Sequence, residues 1–338
     1  METIYKVLQA YQLAPTEVRQ ITNRLYQVQS SQYSFALKRS RLKDTNINQW
    51  KHVYQTASQQ QLSAIVPIYM TNNRGIFVQD QQEIYYLSPW KQQIESDEPE
   101  HEIESFYASI AKIHKQTKNE QKIDVKDIEK LIDNEKNQLA QLRRKLLSYV
   151  EKYERRRFMS PFELRVCMQF RDLEQVFSEL DDWYDYYLED VTEDKLLYSC
   201  MCHGNLRTTH MVYQNSQTYF INWERSFFGN SMTDLAIYYY HAFQYHDSYM
   251  DQLINAFPIY EKYNPLASSE KSLLAIYLLY PSSYLSVIES YEKKNAKKAQ
   301  PFQIRSLEQS YRRLMHGLSM QHYLYERRLA LQQAAEDD

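Results

Sequence analysis

The most informative segment of the sequence is Cys202–Val212, which reads CHGNLRTTHMV. Two shorter motifs follow it, YFINWE at 219–224 and GNSMTDLA at 229–236. Together they place histidine, asparagine and carboxylate side chains on short polar segments between apolar runs. Side chains of these types bond the backbone, bind a cation or move a proton, so the three motifs are the first candidates for a functional site.

The residues that precede these motifs predict a small lobe rich in strand. A helix with apolar residues at helical spacing is expected at 46–62, and the serine-containing turn at 29–32 has no glycine. These patterns predict a five-stranded sheet plus one helix in residues 1–87. The strand-like runs lie at 25–28, 33–38, 65–70, 75–79 and 83–87.

The character of the sequence changes at Trp90, and residues 88–338 predict a large, mainly helical lobe. The acidic pair 97–98 predicts the start of a helix that runs through His114. A near-heptad apolar stripe between charged residues predicts a helical insert at about 118–190. The chain is therefore predicted to have an α+β, protein-kinase-like bilobal fold.

Composition excludes several classes of protein. The 338 residues carry 40 Lys+Arg against 43 Asp+Glu, which argues against binding to nucleic acid through bulk charge. The longest apolar run, 273–280, is shorter than the roughly 20 residues that a membrane helix needs. The first residues lack a basic-then-apolar pattern, so no export is expected. Three cysteines do not make a disulfide framework. Synthesis and folding in the cytoplasm are expected.

Two residue types are unusual in number: glycine occurs only 4 times and tyrosine 31 times. Few glycines mean few places where the backbone approaches a ligand closely, which argues against a glycine-rich phosphate loop.

The three motifs resemble the catalytic stretch of the aminoglycoside phosphotransferase and choline kinase superfamily. In that family the pattern is His-Gly-Asp, an Asn five residues after the Asp, then Ile-Asp-Phe/Trp-Glu/Asp and an Asp-Leu-Ala helix start. The segments 36–38 and 111–114 match the lysine strand and the large-lobe helix of the family. The segment YYLSPW at 85–90 and the length are similar to the bacterial spore coat kinase-like proteins, the CotS, YutH and YsxE group.

The resemblance implies a catalytic Asp and two metal ligands, and this sequence departs from it at all three positions. Asn205 stands at the catalytic Asp, and an amide is not a base near neutral pH. His210 stands at the metal-binding Asn, although Mg²⁺ prefers oxygen ligands. Asn222 stands at the metal-binding Asp and lacks its charge. The spacing is intact, so a kinase fold without kinase chemistry is predicted, with no metal and no cofactor.

The small lobe favours the same interpretation. Lys38 matches the lysine that pairs with phosphate, but no glutamate occurs between Val18 and Gln82 to hold it from the following helix. Lys38 is therefore expected to bind nucleotide weakly at most, as a solvated or locally bonded lysine.

The remaining motif residues are expected to be structural. His203 should bond the backbone and shape its loop, Asp234 should be an N-cap and loop brace, and Glu224 should be a loop-bonded carboxylate. Buried thiols are expected for Cys200 and Cys202, whose spacing is outside the usual range for zinc.

The tyrosines suggest a protein-binding surface, because tyrosine combines a large ring with a polar tip. The resemblance implies other spore coat proteins as partners, synthesis in the mother cell and deposition on the spore coat. Two alternatives stay open: an active kinase of unconventional metal chemistry that uses ATP and Mg²⁺, and an inactive fold that senses a nucleotide or small ligand. The residues expected to be exposed for contacts are Tyr184, Tyr186, Tyr187, Tyr238, Tyr239 and Tyr240.

Overall fold

Five antiparallel strands form the sheet of the small lobe in the computed structural model, which describes residues 2–92, 99–244, 249–293 and 299–337. The strands are β1 Glu17–Thr22, β2 Leu25–Ser30, β3 Tyr33–Ser40, β4 Val78–Asp80 and β5 Glu83–Pro89. Their order across the sheet is β1-β2-β3-β5-β4. Leu37 pairs with Leu87, and both are buried in the same apolar cluster as helix α1, Glu2–Gln9. Because side chains alternate along a strand, Lys38 points to the opposite face.

The observed sheet differs from the predicted one in which segments supply its strands. Strand β1 was not predicted, because its sequence is polar and five of its six residues are exposed, so no alternation marks it. The predicted strand at 65–70 is wrong: only Ile65 forms a bridge, to Phe220. The predicted strand at 75–79 shortens to β4, and helix α1 was also not predicted.

Helix α2, Asp44–Gln59, packs across the sheet face that carries Lys38 and corresponds to the helix predicted at 46–62. Its start is fixed by Asn46, whose side-chain oxygen accepts the backbone N–H of Lys43 at 2.8 Å. Trp50 and Val53 are fully buried, as their helical spacing indicates. The helix also contacts the 3-10 turn Trp223–Arg225, so it helps to place the residues that follow Asn222.

The motif residues lie on a strand, a loop and a hairpin. Strand β6 is Asn119–Lys122 and strand β7, Leu196–Cys202, leads into the loop. The hairpin consists of β8, Met211–Gln214, and β9, Gln217–Phe220. Helix α3, Pro99–Gln116, packs on β9. The acidic residues predicted to begin this helix, 97–98, lie outside the described residues.

Seven further helices follow in the described part of the chain. The predicted insert is a helical hairpin, and its second helix begins with Ser160 as N-cap: Ser160 Oγ accepts the N–H of Glu163 at 3.2 Å, and Glu163 accepts the N–H of Ser160 at 2.9 Å. The helices, with strand β10 between the second and third, are α4 Val125–Glu154, α5 Pro161–Asp194, β10 Phe227–Gly229, α6 Ser231–Ala242, α7 Met250–Tyr263, α8 Ser268–Leu279, α9 Ser282–Glu292 and α10 Gln300–Asp337. A sheet-bearing small lobe and a larger helical lobe confirm the predicted α+β class.

Among the residues that the structure describes, one stretch, Ser268–Glu292, is long and apolar enough by composition to cross a membrane. It comprises α8 and α9 with a break at Pro281, and it is half buried inside the protein. Leu274 and Ile288 are among its fully buried residues, which is the pattern of core helices.

Contacts divide the chain into two compact units. The first contains Met1–Thr117, Met201–Phe228 and Pro258–Asn264, and the second contains Lys118–Cys200, Gly229–Phe257 and Pro265–Asp338. The boundary predicted between residues 87 and 88 stays a prediction. The residues that match the catalytic motif all belong to the first unit, whereas Asp234 and the candidate tyrosines belong to the second.

The expected exposure of the tyrosines is wrong for four of the six. Tyr184, Tyr187, Tyr238 and Tyr239 are buried in the helical core, where their rings fill space between helices. Only Tyr240, which is 44% exposed, and the half-buried Tyr186 reach the surface. Tyrosine replaces phenylalanine at the four buried sites, so their number does not mark a binding surface.

The predicted N-cap role of Asp234 is also wrong. Helix α6 begins earlier, and Asn230 caps it by accepting the N–H of Met232 at 2.9 Å. Asp234 lies in the first turn of the helix and is fully buried. The sequence signal was misread because Asn230 and Asp234 are both good capping residues within one turn of each other.

Candidate functional site

The loop after β7 depends on a glycine that brings it against the turn Trp223–Arg225. Gly204 has φ +73°, in the left-handed region, and a Cβ built there would lie 2.0 Å from the carbonyl oxygen of Arg225. A side chain at this position would meet backbone rather than a movable side chain. One of the four glycines of the chain therefore allows the close approach of two of its motifs.

His203 has the backbone-bonding role that was expected of it. Its Nδ1 accepts the N–H of Asn205 at 3.2 Å, and its Nε2 donates to the carbonyl oxygen of Ile221 at 2.8 Å. The ring is fully buried and lies 4.8 Å from the ring of Trp223. Both nitrogens are engaged with the protein, so His203 braces the loop against the hairpin.

The three changed motif positions form one chain of hydrogen bonds with Lys38. The ammonium of Lys38 donates to Oδ1 of Asn222. The side-chain nitrogen of Asn222 lies 2.7 Å from Nε2 of His210, and Nδ1 of His210 lies 2.8 Å from the carbonyl oxygen of Asn205. The replaced residues therefore bond to one another.

The direction of each hydrogen bond in this chain follows from the charge of His210. Burial, first, and the nearby cations lower the pKa of His210 to about 4, so the imidazole is neutral and carries one proton. The carbonyl of Asn205 can only accept, which places that proton on Nδ1. Nε2 must then accept from the amide of Asn222, whose oxygen is left to accept from Lys38.

Lys38 has a carboxylate partner, so the expectation that it lacks one is wrong. Its Nζ lies 3.0 Å from Oε1 of Glu224, and the two side chains are only 22% and 12% exposed. The partner comes from the turn after Asn222 rather than from helix α2. No glutamate between Val18 and Gln82 could indicate this pair, because Lys38 and Glu224 are 186 residues apart in the sequence.

Glu224 is held by more than Lys38. The hydroxyl of Tyr86 donates to Oε1 at 3.3 Å, and the backbone N–H of Arg41 donates to Oε2 at 3.3 Å. Asn46 donates to the backbone carbonyl of Glu224 at 3.3 Å. Both carboxylate oxygens are engaged, which agrees with the expected loop-bonded carboxylate. Burial lowers the pKa of Lys38 and Glu224 opposes that effect.

The side chain at the catalytic position is occupied as well. Oδ1 of Asn205 accepts a hydrogen bond from the guanidinium of Arg207. Arg207 was not singled out from the sequence, although a cation two residues from the catalytic position is a signal that could have been used. An amide that accepts from a cation gives no base for a hydroxyl proton.

The first turn of the small-lobe sheet was predicted at 29–32, because strand β1 was not recognised. The turn beside Lys38 is the one between β1 and β2, not the turn at 29–32. Its N–H groups at Arg24 and Leu25 both donate to the hydroxyl of Thr22, at 3.2 and 3.1 Å. These two backbone donors are therefore bonded to the protein itself instead of facing a phosphate.

A cavity of about 270 Å³ lies beside the hydrogen-bond chain. Ala36 and Lys38 on β3 line the cavity. Trp90, which follows β5, and Ile221, which follows β9, line it as well. Its volume is just below the range of about 300–1,000 Å³ that is usual for small-molecule pockets. Most of its lining is apolar, and Arg24 adds a cation to that of Lys38.

Magnesium does not fit the side chains around this cavity as they are bonded here. Asn222 Oδ1 is bonded to Lys38, His210 Nε2 to Asn222, and both oxygens of Glu224 to protein donors. Mg²⁺ requires near-octahedral oxygen ligands and usually one or two carboxylates. Each of these side chains would have to break a hydrogen bond before it could bind Mg²⁺. If Glu224 bound the ion, Lys38 would lose its carboxylate partner.

A lysine on the third strand of a five-stranded antiparallel sheet, facing a loop and hairpin with the family spacing, defines a kinase-like phosphotransferase fold. The model of the phosphotransferase enzyme family, APH, matches residues 17–266. This chain belongs to that family. No curated protein sequence matches it.

Solved structures support the fold. The aminoglycoside phosphotransferase from Alicyclobacillus acidocaldarius subsp. acidocaldarius is 16% identical, with a TM-score of 0.71 over 96% of this chain and 95% of that chain. The spectinomycin phosphotransferase APH(9)-Ia, in complex with ADP and spectinomycin, is 11% identical, with a TM-score of 0.54 over 94% and 97%. The amicoumacin kinase hAmiN is 12% identical, with a TM-score of 0.55 over 93% and 92%. These similarities confirm the predicted kinase-like fold class.

Proposed function

We propose that this chain is a catalytically inactive member of the phosphotransferase family that serves as a structural or assembly component of the bacterial spore coat. The observation that carries the first half is the hydrogen-bond chain from Lys38 through Asn222 and His210 to Asn205. It replaces the ionic and basic groups of a phosphoryl-transfer site with neutral side chains that satisfy one another.

The loss of function at each position is large in physical terms. A general base contributes roughly 10²–10⁴-fold to a rate, and Asn205 cannot act as one. The metal ions of a kinase neutralise the charge that develops on the phosphates, and neither Asn222 nor His210 brings negative charge to hold them. Effects of groups that act together are not additive, so the reversal of one substitution does not restore the others.

The second half of the proposal rests on the resemblance of residues 85–90 and of the chain length to the spore coat kinase-like group. Other coat proteins are then the partners, and the chain is made in the mother cell and deposited on the coat. Of the candidate tyrosines, Tyr186 and Tyr240 retain surface exposure that a partner would need. No nucleic acid is expected as a partner.

Two measurements test the two halves separately. The first is phosphoryl transfer from ATP to aminoglycosides, choline, sugars or the protein itself, for which we expect no rate above that of heat-denatured protein. The second is the position of a fluorescent fusion in sporulating cells, for which we expect a ring at the spore surface. Diffuse fluorescence with no activity would reject the coat role while leaving the inactive site intact.

A second function, the sensing of a nucleotide or small ligand, is favoured by the cavity itself. The 270 Å³ space is retained although the phosphate-handling groups beside it are bonded to one another. Thermal shift with ATP separates the possibilities. No shift supports the inactive component, a shift that requires Mg²⁺ or Mn²⁺ supports an active kinase, and a shift without metal supports a sensor.

A further inference from the structure

Four apolar side chains are exposed at one end of the helical unit, where α4 turns into α5 and α10 begins. Their exposed fractions are 82% for Phe158, 63% for Met168, 62% for Phe302 and 50% for Leu164. We refer to these four residues as the hairpin-end surface. Isolated exposed apolar residues are normal, but several at one site mark a docking surface for protein or membrane.

Contacts along α5 and α10 show that the two helices run in the same direction. Gln169 donates to Glu308 at 3.1 Å, and further along the pair Arg328 donates to Asp190 at 2.6 Å. The sequence numbers rise together on both helices. Phe302, six residues before Glu308, therefore lies at the level of the start of α5.

The same helical geometry places the apolar residues on one side. At about 100° per residue, Leu164 and Met168 lie on one flank of the α5 stripe that contacts α10. For two parallel helices, the flank of α10 that carries Phe302 and Arg305 is on that same side. Phe158 lies in the turn that leads into α5, at the same end of the helix as Leu164.

Most of the exposed charged side chains at this end of the unit are cationic. The guanidinium of Arg157 lies 5.3 Å from the ring of Phe158. Arg155 is exposed over 81% of its side chain and is paired at 3.6 Å with the exposed carboxylate of Glu151. Arg305 is exposed one turn from Phe302. Glu163 is buried and bonded to Arg156. Glu154, the last residue of α4, is an exposed carboxylate beside Arg155 in the sequence.

Two further carboxylates here are already paired within the protein. Lys145 lies 2.6 Å from Glu289, and Lys152 is bonded to Glu292. The exposed arginines beside the phenylalanines are therefore the groups that an incoming surface would meet first. An anionic surface complements them.

We propose that the hairpin-end surface docks on an anionic lipid bilayer. The four apolar side chains protrude by half or more of their area, and a bilayer boundary accepts protruding Phe, Met and Leu without a shaped pocket. The neighbouring arginines reach the headgroup level, where each Lys or Arg near an anionic membrane adds attraction. This docking is peripheral, and it does not depend on what occupies the cavity beside Lys38 in the first unit.

The test is flotation of the full chain with vesicles of phosphatidylcholine alone and of phosphatidylcholine mixed with phosphatidylglycerol. We expect binding to the anionic vesicles that weakens with added salt. The double variant Phe158→Ser/Phe302→Ser should lower the partition coefficient by about tenfold, because two rings no longer enter the boundary. Arg157→Gln/Arg305→Gln should lower it by a similar factor on anionic vesicles only.

The matched control is Tyr33→Ser/Tyr249→Ser, which removes two rings that are 64% and 58% exposed elsewhere. This variant should bind vesicles like the unaltered chain. All three variants replace exposed residues, and circular dichroism will verify that they stay folded. Absence of binding to anionic vesicles, or binding that survives the Phe158→Ser/Phe302→Ser change, would overturn the proposal. Capture by poly-glutamate but not by vesicles would overturn it as well and indicate an acidic protein partner.

Discussion

The side-chain amide of Asn222 donates to Nε2 of His210 across 2.7 Å, so the position of a metal-binding aspartate is here a hydrogen-bond donor. A carboxylate could not make this contact with a neutral His210 whose proton is on Nδ1. The two substitutions are therefore coupled: a histidine at 210 and an asparagine at 222 satisfy each other. Two independent losses of a metal ligand would not need to be complementary.

Asn222→Asp should change the charge of His210. A carboxylate facing Nε2 and a carbonyl facing Nδ1 both need an N–H, so the imidazole must take up a second proton. We expect the pKa of His210 to rise from about 4 to above its ordinary value of 6.5. The backbone tolerates the change, because Asn222 has φ 69° and Asp also adopts this conformation. The measurement is the imidazole nitrogen chemical shift by NMR across a pH titration.

Stability should follow pH in opposite senses in the two proteins. In the unaltered chain, neutral His210 contributes stability above about pH 6.5 that is lost as the pH falls towards 4. In Asn222→Asp, the charged His210 contributes stability at low pH that is lost as the pH rises through its raised pKa. Urea unfolding at several pH values checks this, with His322→Gln, an exposed histidine, as a control that should leave the profile unchanged.

The sequence predicts those features of the fold and the site that depend on neighbouring residues, and it misses those that depend on contacts between distant segments. The motif spacing and the alternation in 33–38 predict the lysine strand and the loop correctly. Strand β1 is a polar edge strand, and because it was missed, the first turn of the sheet was predicted at 29–32 rather than at 22–25. The pairing of Lys38 with Glu224 joins distant segments, and no periodicity reports such a contact. The burial of Tyr239 depends on helix packing, which composition does not encode.

Glu224→Gln should destabilise the chain, because Lys38 loses its charged partner in a mostly buried position. We expect a loss of about 2 kcal/mol in the free energy of unfolding, measured by urea denaturation. Glu83→Gln is the matched control: its pair with Arg39 is 4.0 Å long and exposed, so the loss should be under about 0.5 kcal/mol. Equal effects of the two changes would show that the Lys38 pair is not structural.

Gly204→Ala should destabilise the chain by about 3 kcal/mol or more, because a Cβ would strike the carbonyl oxygen of Arg225. Gly75→Ala is the comparison. Its nearest neighbour is the hydroxyl of Thr71 at 3.2 Å, and it should cost less than about 1 kcal/mol. Thermal unfolding of both variants checks this, and a Gly204→Ala protein as stable as the parent would contradict the observed loop geometry.

Tyr239 and Tyr240 should respond in opposite ways to replacement by serine. Tyr239 is fully buried and stacks on Phe243 with ring centroids 5.1 Å apart, so Tyr239→Ser should cost about 3 kcal/mol of stability. Tyr240 is exposed, with the guanidinium of Arg313 3.6 Å from its ring, so Tyr240→Ser should cost under about 1 kcal/mol. Under the proposed coat role, release of a folded Tyr240→Ser protein from the spore coat would support a binding role for Tyr240, and full retention would place the interface elsewhere.

The inactivity of the site is tested by phosphoryl transfer from ATP in the presence of Mg²⁺, measured on the unaltered chain, on Asn205→Asp and on His210→Ala. Because Lys38, Asn222, His210 and Asn205 bond to one another, we expect no turnover above background from any of the three. Asn205→Asp restores a carboxylate but no metal ligand, so it should stay inactive. Metal-dependent turnover by the unaltered chain that disappears in His210→Ala would contradict the inactive site and make His210 a metal ligand.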